Sequence, residues 1–472
     1  MSAVALLLAS TLFASSQTVA PHAAVTTSSR YATQAGLEVL RRGGNAADAA
    51  IAVTFMLGVA EPKTAGIGGG GALMYYDAKA DAVWTLDFRE NAPAGLTGTA
   101  PRSGVAAIGV PSTVAGMGEL HRRFGSQSWK DLVEPAARAA DGDLAKTLKQ
   151  LASSGPRIFY DGPIASRIVE KVRKAGGILS LHDLSEYKPI WRAPIEIAAG
   201  DYQIDSLAPP SAAGIMIAAM LGIAGDWDLK PDGAWMVHIF AEVQRRAAFD
   251  RDRFFAENPL AGYREILSAE HAKQAHASID PARATPSLTL GEPAKPIAEN
   301  ARTADFAIVD AAGNIAAVSV SLDDANGSDF LVPGSGFVLN DAAKNAARAG
   351  DRIPSSMTPA IVLRHRKPML AIGSSGGAMA PAVVLQVILG VTRFGMTLRD
   401  AIEAPRFDQQ ATPDDITYER TRMPAEIVPR LTAMGHGVRP VESIGGVNAI
   451  LIEPGRLTAV ADSRHAGVAG GM

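Results

Sequence analysis

Asn300-Ala301-Arg302-Thr303-Ala304-Asp305-Phe306-Ala307-Ile308-Val309-Asp310 runs into Ala311-Ala312-Gly313-Asn314, and then into Ile315-Ala316-Ala317-Val318-Ser319-Val320-Ser321-Leu322. Two apolar, β-prone runs flank a turn rich in Asp, Gly and Asn, a pattern that predicts a β-hairpin. Thr303 stands where an irregular lead-in, Pro296 to Arg302, meets the first strand. Two readings are open at this point. Thr303 is either a β-forming or turn-capping residue, or a nucleophile exposed when the chain is cut before it. A threonine with a free α-amine carries its own base, because an amine of unperturbed pKa roughly 7.7–8.0 is partly neutral at working pH and takes the hydroxyl proton.

Composition narrows the alternatives. The 472 residues allow one large or two to three ordinary domains, and 47% hydrophobic against 20% charged residues suits a chain with a sizeable core. A formal net charge of −3 gives no nucleic-acid footprint, and the pairs Arg41-Arg42, Arg122-Arg123 and Arg245-Arg246 fall in helical patterns as solvated faces. With no cysteine, disulfides, thiolate catalysis and Cys-type zinc sites are excluded. The histidines form no HExxH, and His271 and His276 are five apart, off one helical face, so no metal is expected. Residues 1–20 form an apolar run too short to span a bilayer, ending Thr18-Val19-Ala20. This predicts an export signal without the usual positive start, hence a periplasmic or secreted protein; an N-terminal strand of a cytoplasmic protein is the alternative.

Helices are predicted over Ala32–Leu40, from Asn45 to Gly58, and from Ile215 to Ile223, with a capped start at Ser180. Strands are predicted at Ala72–Tyr76, Val83–Phe88, Tyr202–Leu207, Ser335–Asn340 and Ala360–Leu363. Gly66-Ile67-Gly68-Gly69-Gly70-Gly71 leads into a strand rather than a helix, so a tight turn or close backbone approach explains it better than a phosphate cradle. The alternation of helices and strands gives an α/β (α+β) class without fixing a topology.

Six segments, read together, carry a resemblance. Gly43-Gly44-Asn45-Ala46-Ala47-Asp48-Ala49-Ala50, Gly68-Gly69-Gly70-Gly71, Leu86-Asp87-Phe88-Arg89-Glu90-Asn91-Ala92-Pro93, Gly109-Val110-Pro111-Ser112-Thr113-Val114-Ala115-Gly116, Ser355-Ser356-Met357-Thr358-Pro359 and Gly373-Ser374-Ser375-Gly376-Gly377 resemble, in order, the γ-glutamyltransferase (glutathione hydrolase) family. The resemblance implies the αββα four-layer sandwich of N-terminal nucleophile (Ntn) hydrolases. It also implies self-cleavage between Arg302 and Thr303 into a large subunit, 21–302, and a small one, 303–472, intertwined in one domain. Thr303 would attack an amide to give an acyl-enzyme, released to water or an acceptor amine, with no cofactor. By the same resemblance Ser321 supports the nucleophile and the self-cleavage, and the N–H groups of Gly376 and Gly377 face the developing oxyanion. Arg89, Ser355 and Ser356 hold the substrate carboxylate, and Asp323 and Asn345 occupy positions that recognise its α-amine.

The same glycine-serine segment also fits G-x-S-x-G between a strand and a helix. That context offers Ser375 as a serine-hydrolase nucleophile, with Asp408 or Asp414 and His436 or His465 following in order. A non-catalytic binding relative is a third class.

Several positions depart from the family pattern. Ala304 and Asp305 stand where threonine or serine and then histidine are common, Asp323 where asparagine is usual, Ala342 where glutamine or glutamate is usual, and Asn345 where aspartate is usual. The loop from Asp341 to Pro354 is short and lacks the lid segment of many members, which predicts a more open pocket. Asp323 could supply the charge that Asn345 does not. Alternatively, the changed shell admits an acyl group without an α-amine, as in cephalosporin-acylase-like or oxamate-hydrolase-like relatives.

Overall fold

The computed structural model describes residues 16–98, 101, 103–227, 229, 233–257, 263–292, 294 and 302–472. Strands Ala304–Val309 and Ile315–Ser321 pair antiparallel as the expected hairpin. Its turn is locked by Asp310, whose Oδ1 accepts the N–H groups of Ala312 and Asn314, each at 2.9 Å, while Gly313 takes φ 85°. The Asp310 Oδ2 also accepts the N–H of Ala46 at 2.8 Å, tying the turn to the first residue of the helix Ala46–Ala60. That helix starts on a reciprocal cap between Asn45 and Asp48 and is buried from Ala46 to Leu57, as its lack of a polar face requires.

Two seven-stranded sheets face each other. One runs, edge to edge, through Val468–Gly471, Ala24–Thr27, Ala304–Val309, Ile315–Ser321, Gly70–Asp77, Ala82–Phe88 and Ile190–Arg192. The other runs through Gln17–Ala20, Arg456–Ala461, Gly446–Glu453, Lys367–Ser375, Ala360–Arg364, Tyr202–Ser206 and Ile195–Ala199. Helices Arg30–Arg41 and Ala46–Ala60 cover the outside of the first sheet, and Ala213–Ala224, Ala234–Glu257 and Ala380–Thr392 cover the second. The result is helix, sheet, sheet, helix. Each sheet mixes strands from before and after Thr303, so the two halves of the chain interdigitate.

Strand alternation decides what the space between the sheets contains. In Ala304–Val309, Ala304, Phe306 and Ile308 pack toward the helices, whereas Ala307 and Val309 join the inter-sheet core. Ala24, Ala72, Ala317 and Ala371 bring the sheets close there. The same alternation sends Asp305, Ser319 and Ser321 into the inter-sheet layer at its other end, where Thr303 borders a cavity with Ser321, so the layer is apolar at one end and polar at the other.

Some expectations change. Ser335–Asn340 is not a strand; it contributes one bridge, Leu331 to Val338, within a turn-rich segment. In the glycine run, Gly68 to Gly71 have no positive φ, and a Cβ on Gly69 would stand 2.1 Å from the Ser321 carbonyl oxygen. Close backbone approach, rather than a left-handed turn, is its reason. Gln17–Ala20 pairs with Arg456–Ala461 as an edge strand, while residues 1–15 of the proposed export segment lie outside the described residues. Of the lead-in Pro296 to Arg302, only Arg302 is described. Among the described residues, no helix is long and apolar enough to cross a membrane.

Candidate active site

The last residue of the hairpin's second strand begins the site. Ser321, paired across from Gly70, donates its hydroxyl to the carbonyl oxygen of Arg302 at 2.9 Å and accepts the Asp323 N–H at 2.9 Å. A side-chain hydroxyl therefore touches the carbonyl of the peptide bond that joins Arg302 to Thr303. Thr303, Ser321, Asp323, Ser355, Ser356 and Gly377 border one narrow cavity of about 10 Å³, roughly the space of a single water. The short Asp341–Pro354 loop contributes no residue to the lining of this cavity. That loop is zipped onto the segment after Arg89, with Ile353 N–H donating to Glu90 O at 2.9 Å and Ala92 N–H to Asp351 O at 2.8 Å.

Asp323 holds φ 79°, a left-handed conformation uncommon for a non-glycine residue. Its carboxylate is shared. Arg89 Nη2 lies 3.5 Å from Oδ1, and Lys344 Nζ at 3.7 Å and the Asn345 amide at 3.4 Å face Oδ2. Arg89 is buried at the end of strand Ala82–Phe88 and also pairs with the fully buried Glu90 at 3.0 Å. Burial pushes the Glu90 carboxyl up to about 7 despite the opposing charge of Arg89. Lys344 reaches Asp324 at 2.5 Å and Asp341 at 2.9 Å as well; burial opposes its charge, but these carboxylates hold its pKa above the usual lysine value. Burial likewise raises Asp341, to about 6.

Lys344 and Arg352 were not legible as site residues. Arg352 donates to the Arg89 carbonyl and to the Tyr187 hydroxyl, and Tyr187 itself donates to that carbonyl at 2.7 Å, so the two side chains clamp the Arg89 backbone. Both cations come from the Asp341–Pro354 loop, in which the family resemblance points only to Ala342 and Asn345. Ala342 packs with Ala92 and Ile353 in a small apolar cluster and offers no polar group to the site.

On the other side of Thr303 lies a cavity of about 490 Å³, bordered by Arg302, Thr303, Asp305, Ser375, Asn448 and His465, among others. Asp305 is fully buried and pushed up to about 7 by desolvation, with the Ser319 hydroxyl opposing that rise. Gly376 and Gly377 follow Ser375 with φ 138° and 56°, and Gly377 borders Thr303's narrow cavity.

The Ser375 constellation does not assemble. Asp408 takes the Gln410 amide at 2.7 Å, Asp414 takes the Ser287 N–H at 2.7 Å beside Arg245, and His436 bonds His238 at 2.7 Å. His465 borders the same cavity as Ser375, but its ring lies against Gly446 and the Ser375 hydroxyl points to the Gly446 carbonyl at 3.5 Å. His238, Glu242 and His436 do bring three metal-type donors within 4.8 Å, a grouping that chain spacing hid. The two imidazoles satisfy each other, and Arg245 and Arg246 pair with Glu242, so the cluster is a closed polar network.

A family model described as Gamma-glutamyltranspeptidase matches residues 32–143 and 140–472. The chain belongs to the gamma-glutamyltranspeptidase family. It is 31% identical over 534 residues to the glutathione hydrolase proenzyme of Pseudomonas aeruginosa, covering 94% of each chain. It is 30% identical to that of Escherichia coli, covering 92% of this chain and 89% of the other. Among solved structures, gamma-glutamyltranspeptidase from Helicobacter pylori superposes with TM-score 0.52 at 29% identity, covering 57% of this chain and 93% of that one. Cephalosporin acylase from Bacillus halodurans superposes with TM-score 0.88 over 97% of each chain; at 24% identity this likeness speaks for the fold alone. The fold is the αββα sandwich of Ntn hydrolases, and like its gamma-glutamyltranspeptidase relatives the protein is an enzyme.

Proposed function

We propose that the chain cuts itself between Arg302 and Thr303 and that Thr303 then cleaves γ-glutamyl amides such as glutathione, passing the acyl group to water or to an acceptor amine. The observation that carries this reading is the Ser321 hydroxyl on the Arg302 carbonyl, beside a threonine bordering the same cavity. Thr303 attacks the amide, an acyl ester forms, and Gly376 and Gly377 supply N–H groups to the oxyanion; one such donor is typically worth roughly 2.7–4 kcal/mol of barrier. Arg89, with Ser355 and Ser356, receives the substrate carboxylate, for which a planar two-pronged donor suits. Asp323, with Asn345 bonded to it, receives the α-ammonium. The fragments, ending at 302 and beginning at 303, stay together through their shared sheets. Action outside the cytoplasm belongs to the same reading, supported by the apolar run of residues 1–20 and tested by cell fractionation.

Intact mass and N-terminal sequencing of the wild type beside Thr303→Ala test the core of this reading. Two fragments, the smaller beginning at Thr303 and absent from the variant, are expected. A variant that still cuts at this bond sinks the assignment.

Lys344 favours a second reading of the acyl group. Its ammonium already faces Asp323, the carboxylate that a substrate ammonium would need. An acyl group bearing a carboxylate but no α-amine suits that charge arrangement. Paired assays on a γ-glutamyl amide and the matching glutaryl amide discriminate the two.

A further inference from the structure

Self-cleavage of the uncut chain lacks the base that the mature nucleophile carries. Before the cut, the Thr303 nitrogen is a peptide nitrogen with no basic lone pair, so another group must take the hydroxyl proton. Asp323, Asp305, Glu61 and Asp462 border cavities that Thr303 also borders. Asp323 borders the narrow cavity, but its oxygens already face Arg89, Lys344 and Asn345.

Asp305 is placed differently. It is the second residue of strand Ala304–Val309, two residues on from Thr303 in the chain. It is 2% exposed; the Ser319 hydroxyl donates to Oδ1, and Oδ2 has no hydrogen-bond partner among the described residues. Both residues border the 490 Å³ cavity, which is large enough for water and carries polar groups among its lining. The facing strand leaves room through Gly373, where a Cβ would stand 3.3 Å from the Asp305 carboxylate. Arg30, Tyr31, Glu61, Arg302, Asp462 and His465 are the other charged or titratable groups on this cavity. Glu61 is held by Ser28 at 2.6 Å, and Asp462 pairs with Arg406 at 2.6 Å. A carboxyl raised by burial to about 7 matches the demand on a base working near neutrality.

We propose that Asp305 is the proton acceptor for self-cleavage, acting through a water in the cavity that it shares with Thr303. This rests on the reading that Thr303 cuts the chain. The Thr303 oxygen bonds to the Arg302 carbonyl carbon as its proton passes by way of the water to the Asp305 carboxylate. The bond from that carbon to the Thr303 nitrogen then breaks, and Asp305 returns the proton to the departing amine. Water finally hydrolyses the ester, leaving the Arg302 carboxylate and a free Thr303.

The full chain, made by cell-free synthesis at pH 5.5 to 9 and quenched at intervals, is followed by intact mass. Wild-type cleavage should speed up through a limb near pH 7. Asp305→Asn still accepts the Ser319 hydrogen bond but takes no proton; it should cut about 100-fold or more slowly and lose the limb. Ser319→Ala removes a hydrogen bond that favours the carboxylate and should move the limb to higher pH. An Asp305→Asn chain that cuts within about threefold of wild type, or a limb that Ser319→Ala leaves in place, overturns the proposal. A wild-type chain that never cuts instead overturns the Thr303 reading beneath it.

Discussion

The Ser321 hydroxyl donates to the carbonyl oxygen of Arg302 at 2.9 Å, so the peptide bond before Thr303 is polarised by the neighbouring strand of its own hairpin. The donor is aimed where negative charge grows when that carbonyl is attacked. Ser321→Ala should therefore slow appearance of the fragment beginning at Thr303 by about 10²–10³-fold, the usual loss for one such donor. Ser321→Thr, which keeps the hydroxyl, should cut at a rate much nearer to wild type. Time courses of intact mass measure both, and equal rates for Ala and Thr would refute the role.

Arg89 is a second point at which the geometry makes a quantitative demand. Its guanidinium is the cation next to buried Glu90 and 3.5 Å from Asp323. Arg89→Ala leaves buried negative charge behind and should lower stability by about 3–5 kcal/mol, beyond any loss of substrate binding. Glu90→Gln made together with it should recover part of that loss. Urea unfolding of the two single variants and the double variant completes the cycle; additive effects would mean that the pair does not interact.

Asp305 carries a stability cost with a definite sign. Its carboxyl rises from 3.8 to about 7 on folding, so between these values the folded chain holds a proton that the unfolded chain has released. Its contribution to stability is full below about pH 3.8 and is lost as pH rises through about 7. Asp305→Asn avoids that loss. Thermal unfolding should show the variant more stable than wild type at pH 8, with the difference shrinking on acidification and gone near pH 4. A residue that destabilises the fold at working pH is accounted for by function rather than packing.

How far the sequence revealed this site follows from the range of each signal. The hairpin, the Asn45 and Ser180 caps and the strands at Ala72 and Val83 were legible because propensity, capping and alternation act over a few residues. The role of Thr303 has no local signal and rests on six segments spread along the chain. Ser335–Asn340 has the alternating pattern of a strand but lies in a tight turn held by Thr147 and Arg167, side chains far away in sequence. Lys344 adjoins Asn345 and Arg352 stands three residues before Ser355, yet no local pattern reports which carboxylates and carbonyls a folded loop will meet.

Lys344 offers the sharpest separation between the two acyl-group readings. Its Nζ neutralises part of the charge on Asp323, Asp324 and Asp341 from a site only 4% exposed. If the enzyme binds γ-glutamyl groups, that ammonium competes with the substrate's own, and Lys344→Gln should free Asp323 and lower KM for a γ-glutamyl amide. If it binds acyl groups without an α-amine, Lys344 keeps the pocket from being too negative, and the same variant should raise KM for a glutaryl amide several-fold. The variant will be less stable, since burial then acts on three carboxylates with one cation fewer, so both assays belong well below its unfolding temperature. The ratio of the two kcat/KM values cancels any loss of folded enzyme. A ratio unchanged from wild type would show that Lys344 does not read the acyl group and acts only as an internal counter-ion.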